Sequence, residues 1–281
     1  MRSVWHARLK AHTPPPLWRL LRAGYHGAIV RPAWRWSPRA RASRRRLQAY
    51  RDRHQGERCF IIGNGPSLNR IDLTPLRTEV TFGLNRIYLL SGRLGFRPTY
   101  YVCVNRLVLE QFASEIAAVP APKFLGWDGR HALTFDDTMV LLRSQETPSF
   151  AADPGEGLWE GSTVTYVALQ LAFFMGFTTV VLIGVDHRFS AGGPPGEVVV
   201  ARHPDAEHFD PRYFGPGVRW QLPDLATSEQ AYRMARQHFE RHGRRVLDAT
   251  AGGDLRVFER VDYGGLFRAP ARPPRRAAGV A

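Results

Sequence analysis

The sequence predicts an α/β protein: a Rossmann-like, mostly parallel sheet with helices on both faces, in a single domain with a long lid and basic, flexible termini. Two observations carry that expectation. Short apolar runs, 59–62 and 180–185 most clearly, read as strands buried on both faces, and they alternate with segments of helical periodicity. Three successive early strands also end in an asparagine, and in a parallel sheet the carboxyl ends of the strands are where ligands bind.

Taken in order, residues 1–54 read as a basic arm broken by Pro14, Pro15, Pro16, Pro32 and Pro38, with Trp5, Trp18, Trp34 and Trp36 set among arginines. Residues 55–267 form the domain. Its first strand, 59–62, runs into the turn Gly63-Asn64-Gly65-Pro66-Ser67-Leu68 and a helix with Leu68, Ile71 and Leu76 on one side. Strands at 80–84 and 99–104 follow, the second leading into a helix with Leu107, Leu109 and Phe112, and shorter strands are expected at 123–125 and 139–142. Residues 164–176 make an almost continuously apolar helix, closed by Gly176 and followed by the strand 180–185. The Gly/Pro-rich stretch 190–224 is too long for an idle connection and reads as a lid. A helix at 227–242 and a strand at 245–248 complete the alternation, and residues 268–281 read as a disordered basic tail.

Composition excludes several classes. With 281 residues and 44% hydrophobic content the chain can bury a large core, and its two cysteines, Cys59 and Cys103, form neither a disulfide scaffold nor a zinc pattern, so they read as small core residues. The formal charge of +14 divides unevenly. Residues 1–54 hold thirteen Arg and Lys10 against Asp52, a net +13; the tail holds +4; the middle is at −3. A mildly acidic domain is not a groove for a nucleic-acid backbone, so nucleic acid is not an expected partner. No apolar run is long enough to span a membrane and no secretory h-region is present, which gives a cytoplasmic expectation. The Arg/Trp arm suits an anionic membrane surface, so peripheral attachment at the inner membrane is a possible partner interaction.

The chemistry collects at the strand ends. All four asparagines of the chain, Asn64, Asn69, Asn85 and Asn105, lie between residues 64 and 105, and Asn64, Asn85 and Asn105 stand where a strand meets its loop. Side-chain amides there can donate and accept together, which suits a nucleotide's ribose and base edges. The Gly63–Gly65 turn would let backbone approach a phosphate at the start of a helix. It is neither GxGxxG nor a Walker A loop, so neither ordinary dinucleotide binding nor ATP hydrolysis is indicated.

The runs RCFIIGNGPSLNRIDLTPL, FGLNRIYLL, RPTYYVCVN and GSTVTYVALQLAFFMGFTTVVLIGVDHRF resemble the MptE-like family, named from 6-hydroxymethylpterin diphosphokinase and including motility accessory factors. In layout they are also similar to the bacterial sialyltransferases of glycosyltransferase family 42. The resemblance covers about residues 57–265. It implies a transferase moving a sugar from a CMP-type nucleotide donor to a surface-glycan acceptor. Asn64 and Asn85 would hold the nucleotide, with Gly63, Gly65, Pro66, Ser67, Asn105, Ser162 and Thr163 around it. Asp186 would end the conserved-layout block, His208 in the lid would act as general base, and Tyr213 would serve the leaving phosphate, with Arg212 or Arg219 as further donors.

The resemblance equally implies an alternative, diphosphate transfer from ATP to a hydroxymethylpterin, in which Mg²⁺ would be held by carboxylates such as Asp186, Asp210 and Asp224. A non-catalytic accessory role in glycan assembly is a third reading. No resident cofactor or metal is otherwise implied. Two positions depart from the family layout: Asp248 stands where an Asn is common, and His187 where an aromatic is frequent, which makes His187 a second candidate base or a pocket wall. His203 is a further histidine in the lid.

Overall fold

The computed structural model describes residues 24–91, 97–190 and 192–268, together with Leu17 and Leu21. The tail expected at 268–281 therefore lies outside the described residues except for Arg268, as do Pro14, Pro15, Pro16, Trp5 and Trp18 of the arm.

In chain order the strands are β1 (Arg58–Ile62), β2 (Thr81–Leu84), β3 (Tyr100–Cys103), β4 (Lys123–Gly126), β5 (Met139–Leu142), β6 (Thr179–Ile183), β7 (Val198–Val200), β8 (Arg219–Gln221), β9 (Arg245–Asp248) and β10 (Glu259–Arg260). Eight of them make one sheet in the order β10-β9-β6-β1-β2-β3-β4-β5, and every pairing in it is parallel. β7 and β8 pair apart from it as an antiparallel ribbon within the segment 190–224. The central strands are apolar over 59–62 and 180–183 because both faces are covered: Cys59 and Ile61 join the core on one side, Phe60 and Ile62 the core on the other.

Among the described residues the α-helices with full bounds that dress the sheet are α1 (Arg31–Trp36), α2 (Pro38–Gln48), α3 (Arg106–Gln111), α4 (Ala113–Ala117), α5 (Val164–Phe174) and α6 (Leu225–Arg241). α5 is buried from Thr165 to Phe174, in keeping with its unbroken apolar sequence. α6 buries Ser228, Ala231, Tyr232, Ala235 and Phe239, the spacing of one helical face, and its polar remainder meets solvent. Val108, Leu109 and Ile116 of α3 and α4 pack on the opposite face, so the Rossmann-like, single-domain α/β architecture stands as expected.

Two local features depart from the sequence reading. No α-helix follows the Gly63 turn: Pro66–Arg70 and Thr74–Thr78 are short 3₁₀ segments, separated at Ile71–Leu73. Prolines at 66 and 75 restart the chain twice, so a longer helix never propagates. β10 and the β7–β8 ribbon, with two and three residues to a strand, are too short to register in the sequence as strands.

The segment 26–48 is helical and contributes to the domain. A π-helical turn, His26–Val30, leads into α1 and α2, and Trp34, Ala40 and Leu47 are buried. α2 lies along β5, an edge that would otherwise present unpaired backbone groups. There the Leu141 N–H donates to Ser43 Oγ at 3.0 Å and Arg46 Nη1 donates to the Met139 carbonyl at 3.0 Å, so helix side chains complete the ladder of the last strand.

Candidate functional site

The sheet's order reverses between β1 and β6, and the two strands end there in glycine turns. The Gly63 N–H donates to the Ile183 carbonyl and the Gly65 N–H to the Gly184 carbonyl, both at 2.8 Å. A Cβ on Gly63 would overlap the Gly184 carbonyl oxygen, and one on Gly65 would overlap the Asp186 carboxylate. The glycines are thus required for two turns to pass at contact distance. This corrects the expectation that the Gly63–Gly65 backbone cradles a phosphate. Its amide donors are consumed inside the fold, Pro66 has none, and the 3₁₀ segment that follows offers no long helix dipole.

Above this switch point opens a cavity of about 730 Å³. Its walls include Gly63, Asn64, Gly65, Asn85, Asn105, Ser162, Thr163, Asp186, His187, His208 and Tyr213, so most of the residues singled out from the sequence converge on one hollow. Pro66 and Ser67 do not line it. Ser67 is buried beneath, where its hydroxyl donates to Asp186 Oδ2 at 2.6 Å and holds that carboxylate in place. Arg212 and Arg219 are not on the walls either. Arg212 grips Asp210 and Arg219 exchanges backbone hydrogen bonds with Gln111, so the expected arginine donors to a phosphate are corrected. His203 lies outside as well.

The asparagines divide by role. Asn105 Oδ1 accepts the Leu107 and Val108 N–H groups and caps α3, so its oxygen is committed to structure. Asn64 Oδ1 and Asn85 Oδ1 are different: both are buried and neither has a hydrogen-bond partner. Leaving a buried acceptor unsatisfied costs about 1–3 kcal/mol, which sets these two oxygens beside the cavity apart from that of Asn105. Asn85 turns its amide N–H₂ toward the Tyr213 phenol oxygen. Burial nevertheless pushes that phenol far above its ordinary value, so it stays protonated.

Backbone strain collects in the same place. Among the described residues the non-glycine positions with left-handed backbone are Asp52, Asn85, Ser162 and His187, with φ of 51°, 45°, 58° and 53°. The last three all line the cavity. Such conformations persist where the surrounding structure over-determines them, and they cluster at functional sites. Ser162 and Thr163 form the entry to α5, where the Thr163 hydroxyl accepts the Thr165 N–H and lies 3.2 Å from the Tyr232 hydroxyl. Ser162, Thr163, Val164 and Thr165 all face the cavity, so the anion-favouring end of an eleven-residue helix points into it.

The lid supplies a histidine with an oriented ring. His208 Nδ1 lies 2.8 Å from Asp205 Oδ2, and the two side chains are 11% and 5% exposed. Asp205 also accepts the Glu207 N–H at 2.8 Å and the Phe214 N–H at 3.0 Å. Burial alone would raise the Asp205 carboxyl, but the His208 hydrogen bond and charge, with the Glu207 and Phe214 amides, outweigh it, and the net direction is down. The His208 ring stacks on Tyr213 at 3.9 Å between centroids, 7° from parallel. Asp205 thus orders the His208 ring, a pairing signalled in the sequence by a carboxylate three residues before the histidine.

His187 stands on the cavity wall facing Tyr232, with ring centroids 5.9 Å apart. Burial pushes its imidazole below the ordinary value against the pull of Glu229 and Asp254, which favours the neutral form. Arg86, which the sequence reading passed over, is buried and ties the lid down: Nη1 donates to the Arg212 carbonyl at 2.6 Å and to the Tyr213 carbonyl, and the guanidinium lies 3.7 Å over the Phe112 ring.

Of the carboxylates offered for Mg²⁺, Asp186 and Asp224 line the cavity and Asp210 does not. Asp210 pairs with Arg212, Asp224 caps α6 through Thr227, and Asp186 holds Ser67. Among the described residues no three His, Cys, Asp or Glu side chains are grouped to hold a metal ion. Asp248 is buried against Arg260 at 2.9 Å and accepts the Thr250 N–H, a structural role below the cavity. Burial pushes the Cys59 and Cys103 thiols up, Cys103 to about 12, as for inert core residues.

No helix among the described residues is long and apolar enough to cross a membrane. No family model matches the chain, and no curated protein matches it. Among solved structures the chain is similar to a MAf glycosyltransferase from Magnetospirillum magneticum AMB-1, at 15% sequence identity and a TM-score of 0.44. That match covers 80% of this chain and 38% of the other.

Proposed function

We propose that the protein is a transferase that seats a nucleotide donor on Asn64 and Asn85 and moves its sugar to an acceptor hydroxyl of a glycan. The pair of buried, unpartnered amide oxygens at neighbouring strand ends carries this reading. Both are acceptors, so they call for ligand N–H or O–H groups, such as a base's exocyclic amine and ribose hydroxyls, and not for phosphate oxygens. The entry to α5 suits the phosphate.

In the proposed reaction His208 Nε2 takes the proton of the acceptor hydroxyl, with Nδ1–H held by Asp205 so that the ring presents the correct tautomer. The acceptor oxygen forms a bond to the anomeric carbon as the bond from that carbon to the donor phosphate breaks. The phosphate departs with the electron pair, its charge met by the α5 terminus and the Ser162 hydroxyl.

A thermal-shift comparison of CMP, UDP, GDP and ATP, each with and without Mg²⁺, tests the donor class. Stabilisation by CMP that is independent of metal is the expected result. A response confined to ATP with Mg²⁺ would overturn the reading in favour of diphosphate transfer.

A further inference from the structure

The largest exposed apolar side chains gather at the start of the described chain. Leu17, Leu21, Tyr25 and Ile29 recur every fourth residue and are 42–55% exposed, and Trp36 is 73% exposed. Tyr25 and Ile29, four apart in continuous helical backbone, share one side, and Leu17 and Leu21 continue the same spacing in the sequence as an apolar stripe. Exposed arginines border it, among them Arg31, Arg35 and Arg39, and the Arg35 guanidinium sits 5.9 Å from the Trp36 ring centroid.

The stripe is fastened to the domain. Between Ile29 and Trp36 the chain turns Trp34 inward, where it meets Trp127 edge-on at 5.2 Å, and α2 then locks onto the β5 edge. Trp127 directly follows β4 at the carboxyl edge of the sheet, and its neighbour Asp128 lines the cavity. The apolar stripe therefore leaves the domain from the edge that bears the site.

We infer that the exposed side chains of Leu17, Leu21, Tyr25, Ile29 and Trp36 are a docking face for a bilayer surface rich in anionic phospholipid. Charge decides between occupants. Residues 1–54 carry a net +13, so two copies meeting through this face would repel, whereas anionic headgroups are attracted. A nucleic acid would satisfy the arginines and leave the leucines, isoleucine and tryptophan in water, while a bilayer takes both: the apolar stripe enters the acyl boundary and the guanidiniums stay with the phosphates. Docked in this way, the protein holds its cavity beside the membrane. The inference stands independently of the donor assigned above.

Co-sedimentation of the full chain with phosphatidylcholine vesicles, with and without a minority of phosphatidylglycerol, tests it. The account expects binding at least about tenfold tighter with phosphatidylglycerol, weakened by added salt. The variant L17S/L21S/I29S/W36S changes exposed side chains and should keep its melting temperature while losing about tenfold or more in vesicle affinity. Equal binding by this variant would overturn the inference, as would equal affinity for both vesicle types. Two further results would also overturn it: a dimer that the variant returns to a monomer without any vesicle binding, and transfer-RNA binding that the variant retains where vesicles are not bound.

Discussion

The two walls of the cavity are held by different means. Asn64 and Asn85 sit on the ends of β1 and β2, in the middle of an eight-stranded parallel ladder, with buried side chains on both faces beneath them. The opposite wall, drawn from 190–224, has a three-residue ribbon as its only regular pairing among the described residues and is fastened by side chains reaching across to backbone. Arg86 bonds the Arg212 and Tyr213 carbonyls, Asn69 bonds the Phe209 carbonyl at 2.9 Å, and Gln111 bonds Arg219 in both directions. The comparison teaches a division of support: one wall is built into the sheet, and the other is latched to it. Sheet ends are positioned by the whole core, whereas a lid is positioned by a few removable bonds.

The sharpest break in that comparison is chemical. His208→Ala, and Asp205→Asn through the wrong ring tautomer, should each lower transfer by about 10²–10⁴-fold with CMP affinity nearly unchanged. Turnover within threefold of wild type in both would remove the dyad from the reaction.

Next in size is the latch. Arg86→Met leaves the Arg212 and Tyr213 carbonyls without their donor, at a cost of about 1–3 kcal/mol, which should fall on the lid more than on the sheet. Hydrogen exchange and limited proteolysis should speed up in 190–224 while β1 and β6 keep their protection. Unchanged lid protection would show that other contacts hold it.

A smaller effect sharpens the other wall. Asn85→Gly relieves a left-handed residue at φ 45° and removes an orphaned acceptor, so the ligand-free protein should gain about 1 kcal/mol, or roughly 2–4 °C in Tm, while CMP binding weakens. A lower Tm would mean that Asn85 serves the fold.

The smallest effect is titration. The folded Asp205 carboxyl lies below its ordinary value of about 4, so its contribution to the lid is complete above that pH and is lost as pH falls through the lower folded value. Exchange in the lid should therefore accelerate in acid ahead of the sheet, and Asp205→Asn should abolish that difference. An identical acid profile in the variant would contradict it.

How much of this was legible in the residues follows from the same contrast. Strand ends are announced locally, because an apolar run that stops at Asn64 or Asn85 reports its own boundary. The convergence on one cavity followed from parallel topology. The helix after Gly63 was misread because Leu68, Ile71 and Leu76 fit a helical face, while the prolines at 66 and 75 imposed two 3₁₀ turns. The pairing of Asp205 with His208, the burial of Arg86 and the loss of Arg212 to Asp210 depend on the three-dimensional path of an irregular segment, for which no periodicity exists. The cover of β5 by α2 was hidden for another reason. Ser43 and Arg46 look like surface residues of a basic helix until the edge they complete is known.

The central claim is that Asn64 and Asn85 read one ligand together. Calorimetric titration of CMP into the wild type, Asn64→Ala, Asn85→Ala and the double variant tests it most directly. Each single change should weaken binding by roughly tenfold or more, and the double-variant loss should depart from the sum of the two, as for groups on one ligand. Wild-type affinity for CMP in either single variant, or no CMP binding by the wild type, would contradict the account.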